Sequence, residues 1–374
     1  MKRPFRVFIV MSCLLLIVTA TVSVWVYRQA RAAQMRQAER ELQLLLELRR
    51  GALEKYLATV RSEVVLWSSQ PRVRRALGAF LGGWKALGED PGGKLRRLYI
   101  DENPRPVDKK HLLDAAPDDS GYSESHREFH PWLRSFLEHQ GYYDVFLFDL
   151  EGNLIYSVFK EQDYGTNLVH GPWRDTGLGR VFRAARAAPE ADFVAFQDFA
   201  PYGPSHGQPA SFIASPVFEK ERPVGVFALQ KPIDKINSVM QFKVGMGETG
   251  ETYIVGDDFL MRSDSRFSSE STILRTRVDT ETVRLALAGK TGVQVTPDYR
   301  DIPVLSAYGP LRFEGVTWAT LAEIDEEEVT ARALNLRRFA ITGLLVVTST
   351  GTLMAFFFIY LLAGAEKPTA WTAE

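Results

Sequence analysis

Residues 251–265 read ETYIVGDDFLMRSDS, and residues 144–158 read DVFLFDLEGNLIYSV. Each is an aromatic-aliphatic run, an acidic turn and a second run, the pattern of a β-hairpin. The likeness continues downstream. GRVFRAARAA (179–188) stands beside TETVRLALAGK (280–290), and FVAFQDF (193–199) beside GVQVTPDY (292–299). PASFIASPVFEKERPVGVFALQ (209–230) stands beside IPVLSAYGPLRFEGVTWATLAEI (302–324). One module therefore occurs twice, in the order strand, strand, helix, strand, strand, strand, and each copy has the size of a small domain. That order predicts antiparallel sheets with helices to one side, an α+β fold. The acids and arginines of 247–267 suggest catalysis at first sight. Set against the upstream copy they read as scaffold, with Arg262, Asp264 and Arg266 alternating on a second hairpin strand.

Two flanking segments decide the class. Residues 7–27 (VFIVMSCLLLIVTATVSVWVY) and 339–363 (FAITGLLVVTSTGTLMAFFFIYLLA) carry no charge. Each reaches the roughly 20 residues that a bilayer-spanning helix needs. A cleaved signal peptide has an apolar core of only about 7–15 residues, so the first run reads as a retained anchor. Lys2, Arg3 and Arg6 favour a cytoplasmic N-terminus (1–6), which places 28–338 outside the cytoplasm and a tail, 364–374, inside. The formal net charge of -1 gives no bulk field for nucleic acid. The single cysteine, Cys13, excludes an intramolecular disulfide and a Cys-rich metal site. A large external region without cysteine pairs suits a bacterial periplasm.

From Arg31 to Leu87, Leu42, Leu45, Leu46, Leu53, Leu57, Val60, Val64 and Trp67 recur at helical spacing. This predicts a long amphipathic helix over 28–88, with a second helix starting near Ser69, since Pro71 is tolerated in a first helical turn. Its stripe suggests a helix partner, and with it a homodimer. Residues 123–140 predict another helix. His126 and His130 lie four apart on it, but Arg127 stands where a zincin motif needs glutamate, so a metal pair is the weaker reading.

A short N-terminus, a span, a long helix, two tandem PAS-like sheets and a second span resemble the double Cache sensor region of bacterial transmembrane receptors. GETGETYIVGDDFLMRSDSRFS (247–268) with STILRTRVDTETVRLALAGKTG (271–292) is similar to the membrane-proximal Cache module of chemoreceptors and sensor cyclases. The resemblance implies a membrane-distal module at 89–240, a proximal module at 241–330 and a juxtamembrane exit helix at 331–338. It also implies small-molecule sensing, in the distal module in most members, passed down the helices. Members of the family continue into a cytoplasmic output domain. The sequence shows none, so the output is expected from a separate cytoplasmic signalling protein. The family's amino-acid-binding signature does not line up and is not carried over.

Candidate pocket residues in the distal module are Tyr156, Lys160, Trp173, Arg174, Asp175, Asp198, Tyr202 and Phe212. An arginine beside aromatic rings would suit a carboxylate or amino-acid ligand. Arg262, Asp264, Asp298 and Tyr299 are their counterparts in the proximal module. No catalytic set, cofactor or metal is expected: no G-x-S-x-G occurs, and four of the six histidines precede the sheets. The rival readings are a membrane adaptor for a protein partner and an anchored periplasmic enzyme.

Overall fold

The computed structural model describes residues 2–231, 233–242 and 244–365. The tail predicted beyond residue 365 lies outside the described residues. Helix α1 (Lys2–Ser69) is followed by α2 (Pro71–Ala86), α3 (Pro91–Arg96) and α4 (Gly121–Gln140). The first module then runs β1 (Asp144–Phe148), β2 (Leu154–Ser157), α5 (Gly177–Ala187), β3 (Ala195–Tyr202), β4 (Gln208–Glu219) and β5 (Arg222–Lys231). A short α6 (Asp234–Met240) leads to β6 (Glu251–Val255), α7 (Glu281–Leu287), β7 (Gly292–Pro297), β8 (Pro303–Phe313) and β9 (Val316–Asp325). Helix α8 (Glu326–Ala365) continues directly from β9.

The strands form two antiparallel sheets, ordered β2-β1-β5-β4-β3 and β6-β9-β8-β7. The local signals for the helices are plain. Pro71 opens α2 at a position where its missing N–H costs nothing. The side chains of Ser120, Thr176 and Thr280 cap α4, α5 and α7 by accepting from backbone N–H groups three residues on. Gly141, at φ 68°, ends α4 in the left-handed region.

Helices cover both faces of the distal sheet, not one. Every residue of β1 is buried, as a strand covered on both sides must be. Val145 and Leu147 join the core under α1, α2 and α4, while Phe146 and Phe148 join the core under α5.

The apolar stripe of α1 is satisfied within the chain. Leu42 and Leu46 pack with Leu305, Ala307 and Ala322 of the proximal sheet. Leu53, Leu57, Val60 and Val64 pack into the distal core. At 1.5 Å rise per residue, Leu42 to Val64 spans about 33 Å, so one helix serves as a spine for both modules. The stripe therefore gives no argument for a helix partner from another chain.

The second hairpin strand expected in the repeat is reduced to a short return, in which Gly256 N–H donates to Leu260 O and Arg262 N–H to Ile254 O. Beyond β6 there are only isolated bridges, Val255 to Met261 and Leu260 to Arg277. The Arg262 N–H still donates to Ile254 O of β6 at 2.7 Å, while its side chain binds Asp198 and Asp258, and Asp264 accepts from Ser271, Thr272 and Asn237.

Stretches within α1 and α8 are long and apolar enough to cross a membrane. Val10, Ile17, Leu353 and Phe356 are exposed there, as lipid-facing side chains of a span would be.

Candidate ligand-binding site

The distal sheet opens on an acid. Asp144 starts β1, with Gln230 of β5 opposite it and Phe212 of β4 opposite Gln230. The three make a polar-aromatic row across the central strands, on the side that α5 covers. Asp144 is fully buried. Its Oδ1 accepts from the backbone N–H groups of Val145, Val158 and Phe159 at 2.7, 2.9 and 3.2 Å. Its Oδ2 is buried and has no partner in the protein.

Two further acids surround this row. Glu161 accepts from Tyr143 Oη at 2.7 Å and from Ser205 Oγ at 2.5 Å. Ser205 in turn accepts from Gln230 Nε2 at 3.4 Å, while Gln230 Oε1 is left buried and unpartnered. Asp163 Oδ2 accepts from Tyr202 Oη at 2.6 Å, and its Oδ1 is likewise buried without a partner. The Tyr202 ring meets Phe212 edge-on at 4.8 Å.

Burial pushes the Asp144 carboxyl well above the carboxylate range, and the nearby charges of Asp163 and Glu161 push it further. Burial likewise raises Asp163 to about 7, against the hydrogen bond from Tyr202. Asp144 Oδ2, Asp163 Oδ1 and Gln230 Oε1 are thus three buried oxygens without a hydrogen-bond partner in the corner around this row. A buried acceptor left unpaired costs about 1–3 kcal/mol, which an incoming donor would recover.

A pocket of about 670 Å³ opens beside this corner, lined by Tyr143, Phe159, Lys160 and Glu161 with Asp101 and Asp108 at its wall. Its lysines are already occupied. Lys110 Nζ donates to the carbonyls of Ile100 and Asn103. Lys160 Nζ donates to the carbonyls of Ser157 and Val158 at 2.6 and 3.1 Å. It also lies over the rings of Tyr156, Tyr164 and Tyr99 at 5.0, 5.5 and 5.8 Å. Burial depresses Lys160 to about 7, with Asp144 pulling the other way.

The sequence-predicted residues separate into groups. Tyr202 and Phe212 lie in the corner. Tyr156 and Lys160 meet each other, but Tyr156 faces α4, where its Oη contacts His130 Nδ1 at 2.7 Å. Trp173 stacks over Gly203 at the edge of the α5 core. Arg174 and Asp175 pair with each other at 3.1 Å on the surface, 58% and 82% exposed, and contribute nothing to the corner. Asp198 pairs with Arg262 of the proximal module at 2.9 Å. In that module Asp298 binds Arg300 at 2.6 Å and Tyr299 binds Glu251 at 2.7 Å. His126 and His130 are buried, stacked at 4.2 Å and bonded to main-chain carbonyls of Asp114 and His111. Burial lowers both well below the usual imidazole range.

Asp144, Glu161, Asp163 and Gln230 were not singled out from sequence. A signal existed: in the internal repeat Asp144 aligns with Glu251, so both sheets open on an acid where an unbroken apolar strand would put a core residue.

The Cache domain family profile matches residues 30–333. The "Probable chemoreceptor y4sI" of Sinorhizobium fredii is 26% identical over 223 residues, 59% of this chain and 27% of the relative. The chain thus spans about a quarter of the length of that curated relative. Among solved structures, the extracellular histidine-kinase domain vpHK1S-Z8 aligns with a TM-score of 0.50 at 10% identity, covering 81% of this chain and 96% of that one. The ligand-binding domain of the Pseudomonas aeruginosa amino-acid chemoreceptor PctC aligns with a TM-score of 0.37 at 15% identity, covering 65% and 95%. With two sheets on a common helix and a match across both, the chain belongs to the Cache domain family, as a double Cache sensor region.

Proposed function

We propose that this chain is a membrane-anchored receptor whose distal Cache module binds a small molecule through an ammonium group. The observation that carries the reading is the set of buried, unpartnered oxygens Asp144 Oδ2, Asp163 Oδ1 and Gln230 Oε1 beside an open pocket. An ammonium brings three donors and a positive charge to that corner, and it would draw both carboxyls into their ionised forms. The arginine expected to bind a ligand carboxylate sits elsewhere, on the surface. The ligand therefore needs an amine, and a carboxylate is not a requirement. Lys2, Arg3 and Arg6 orient the N-terminus to the cytoplasm. Helix α8 carries the change across the membrane to a cytoplasmic signalling partner.

The test is calorimetric titration of the full chain in nanodiscs with amino acids, simple amines and amine-free carboxylates. Amines are expected to bind and carboxylates alone to fail. Asp144→Asn should weaken binding at least about tenfold, a loss of about 1.4 kcal/mol, while Arg174→Ala leaves it unchanged. Binding of amine-free carboxylates, or an Asp144→Asn variant with full affinity, overturns the ammonium site. Silence across the whole panel points instead to an adaptor for a protein partner.

A further inference from the structure

The proximal module repeats the acid of the distal one and adds a second. Glu251 opens β6, and its register partner on β9 is Glu323. Both are buried, 1% and 2% exposed. Like charges directly opposite on paired strands repel, and burial magnifies the effect.

Hydrogen counting shows how the pair coexists. Glu323 accepts from Ser306 Oγ at 2.7 Å and from Tyr253 Oη at 2.8 Å, two contacts served by two hydroxyl hydrogens. Glu251 differs. Tyr299 Oη lies 2.7 Å from its Oε1, Ser265 Oγ lies 2.9 Å from its Oε2, and the two hydroxyls lie 2.7 Å from each other. Ser265 Oγ already accepts from the Phe267 N–H. The triangle has three oxygen–oxygen contacts and only two hydroxyl hydrogens. A proton on Glu251 supplies the third.

The surroundings allow that proton to leave. Arg300 faces the pair from the β7–β8 loop, but it is engaged by Asp298 at 2.6 Å and Asp325 at 3.3 Å. Arg266 is engaged by the carbonyls of Gly250 and Glu248. Tyr253 and Tyr299 are held neutral, because burial raises both, Glu323 and Glu251 raise Tyr253 further, and Glu251 raises Tyr299 further. Helix α7 buries Thr282, Val283 and Ala286, none of them titratable. Asp298 and Glu251 raise Glu323 after burial has done so, to about 7, and burial raises Glu251 as well.

The pair adjoins the exit helix. Immediately before Glu251, the 247–250 loop grips the first turn of α8. Glu328 accepts from the N–H groups of Glu248 and Thr249 at 3.0 and 2.8 Å and from the Thr249 hydroxyl. Thr249 Oγ1 accepts from the Asp325 N–H at 3.1 Å. Glu323 lies two residues before Asp325, on the strand that becomes α8. We propose that Glu251 and Glu323 form a proton-operated switch that sets how the 247–250 loop holds the first turn of α8. With the proton bound, the strands pair without repulsion and the clasp closes. Without it, two facing carboxylates push β6 and β9 apart and loosen the clasp. Proton sensing of this kind is independent of any ligand in the distal module.

The experiment uses the full chain in nanodiscs, with Cys13→Ser and a spin label on Glu327→Cys, which is exposed. Spectra are recorded at about pH 6 and about pH 8, with the infrared carboxyl C=O band followed in parallel. The label is expected to gain mobility at the higher pH as the carboxyl band disappears. Glu251→Gln should lock the label in its low-pH state at both values. Should that variant not fold, Ser265→Ala replaces it. Ser265 donates to the carboxylate, so its loss should move the midpoint up by at least about half a pH unit. A label indifferent to pH, a carboxyl band that does not change over this range, or a midpoint unmoved in Ser265→Ala overturns the switch.

Discussion

Lys231 ends β5 with its ammonium buried and no hydrogen-bond partner. It lies over the rings of Tyr56 and Tyr142 at 4.3 and 5.4 Å. Those ring faces attract a cation, but they do not replace its three lost water bonds. Burial accordingly lowers Lys231 from its ordinary 10.5 to about 7, with Glu63 pulling the other way. Its folded form releases a proton that the unfolded chain keeps. The destabilisation is therefore full below about pH 7, and stability rises as pH climbs from there towards 10.5. Lys231→Met should keep the packing on Tyr56, gain about 1–3 kcal/mol at neutral pH, and flatten that alkaline rise. Thermal melts of both proteins from neutral to alkaline pH check this; a methionine variant that melts lower at neutral pH would contradict it.

At the scale of elements, α1 holds the architecture. Leu57 is 2% exposed in the distal core, and its truncation to alanine leaves a cavity that rigid strands on one side and a long helix on the other cannot easily fill. Leu57→Ala should cost about 2–5 kcal/mol, whereas Leu48→Ala, on the exposed face, should change stability by less than about 0.5 kcal/mol. Denaturant unfolding separates the two, and equal losses would remove the spine role. The stripe that makes this prediction was legible in the sequence, as were the strand order and the duplication, because each rests on a local period. What covers each face was not legible. The stripe's partner and the second layer of helices are set by tertiary contacts at long separation. Residues 260–266 alternate like a strand, yet the pairing with β6 stops after Arg262, whose side chain reaches Asp198, 64 residues away. The buried corner was not legible for a related reason. Arg174 beside Trp173 has the chemistry of a carboxylate clamp, but it lies on a surface turn. The unpartnered oxygens of Asp144 and Asp163 become visible only once the strands are paired.

At the scale of the molecule, β3 connects the two modules. Its register on β4 slips between Gln197 and Ala200, and such a bulge re-aims side chains. Beyond the slip, Tyr202 turns into the distal corner and bonds Asp163. Within it, Asp198 turns outward to Arg262, which is 3% exposed and also held by Asp258. Phe196 adds edge contacts to Phe313 and Trp318 at 5.0 and 6.0 Å. The contacts of Tyr202 in the distal corner and of Asp198 in the proximal module thus lie four residues apart on one strand. The same linkage should make the two modules unfold together, with a ratio of calorimetric to van't Hoff enthalpy of about one. Asp198→Ala leaves Arg262 paired with Asp258 alone and removes its bond across the modules, a loss of about 1–3 kcal/mol. It should split the transition, with the proximal module melting first and the enthalpy ratio rising towards about two. Scanning calorimetry of the full chain in nanodiscs reads both quantities. A single transition retained in Asp198→Ala would assign the coupling of the modules to the α1 spine alone.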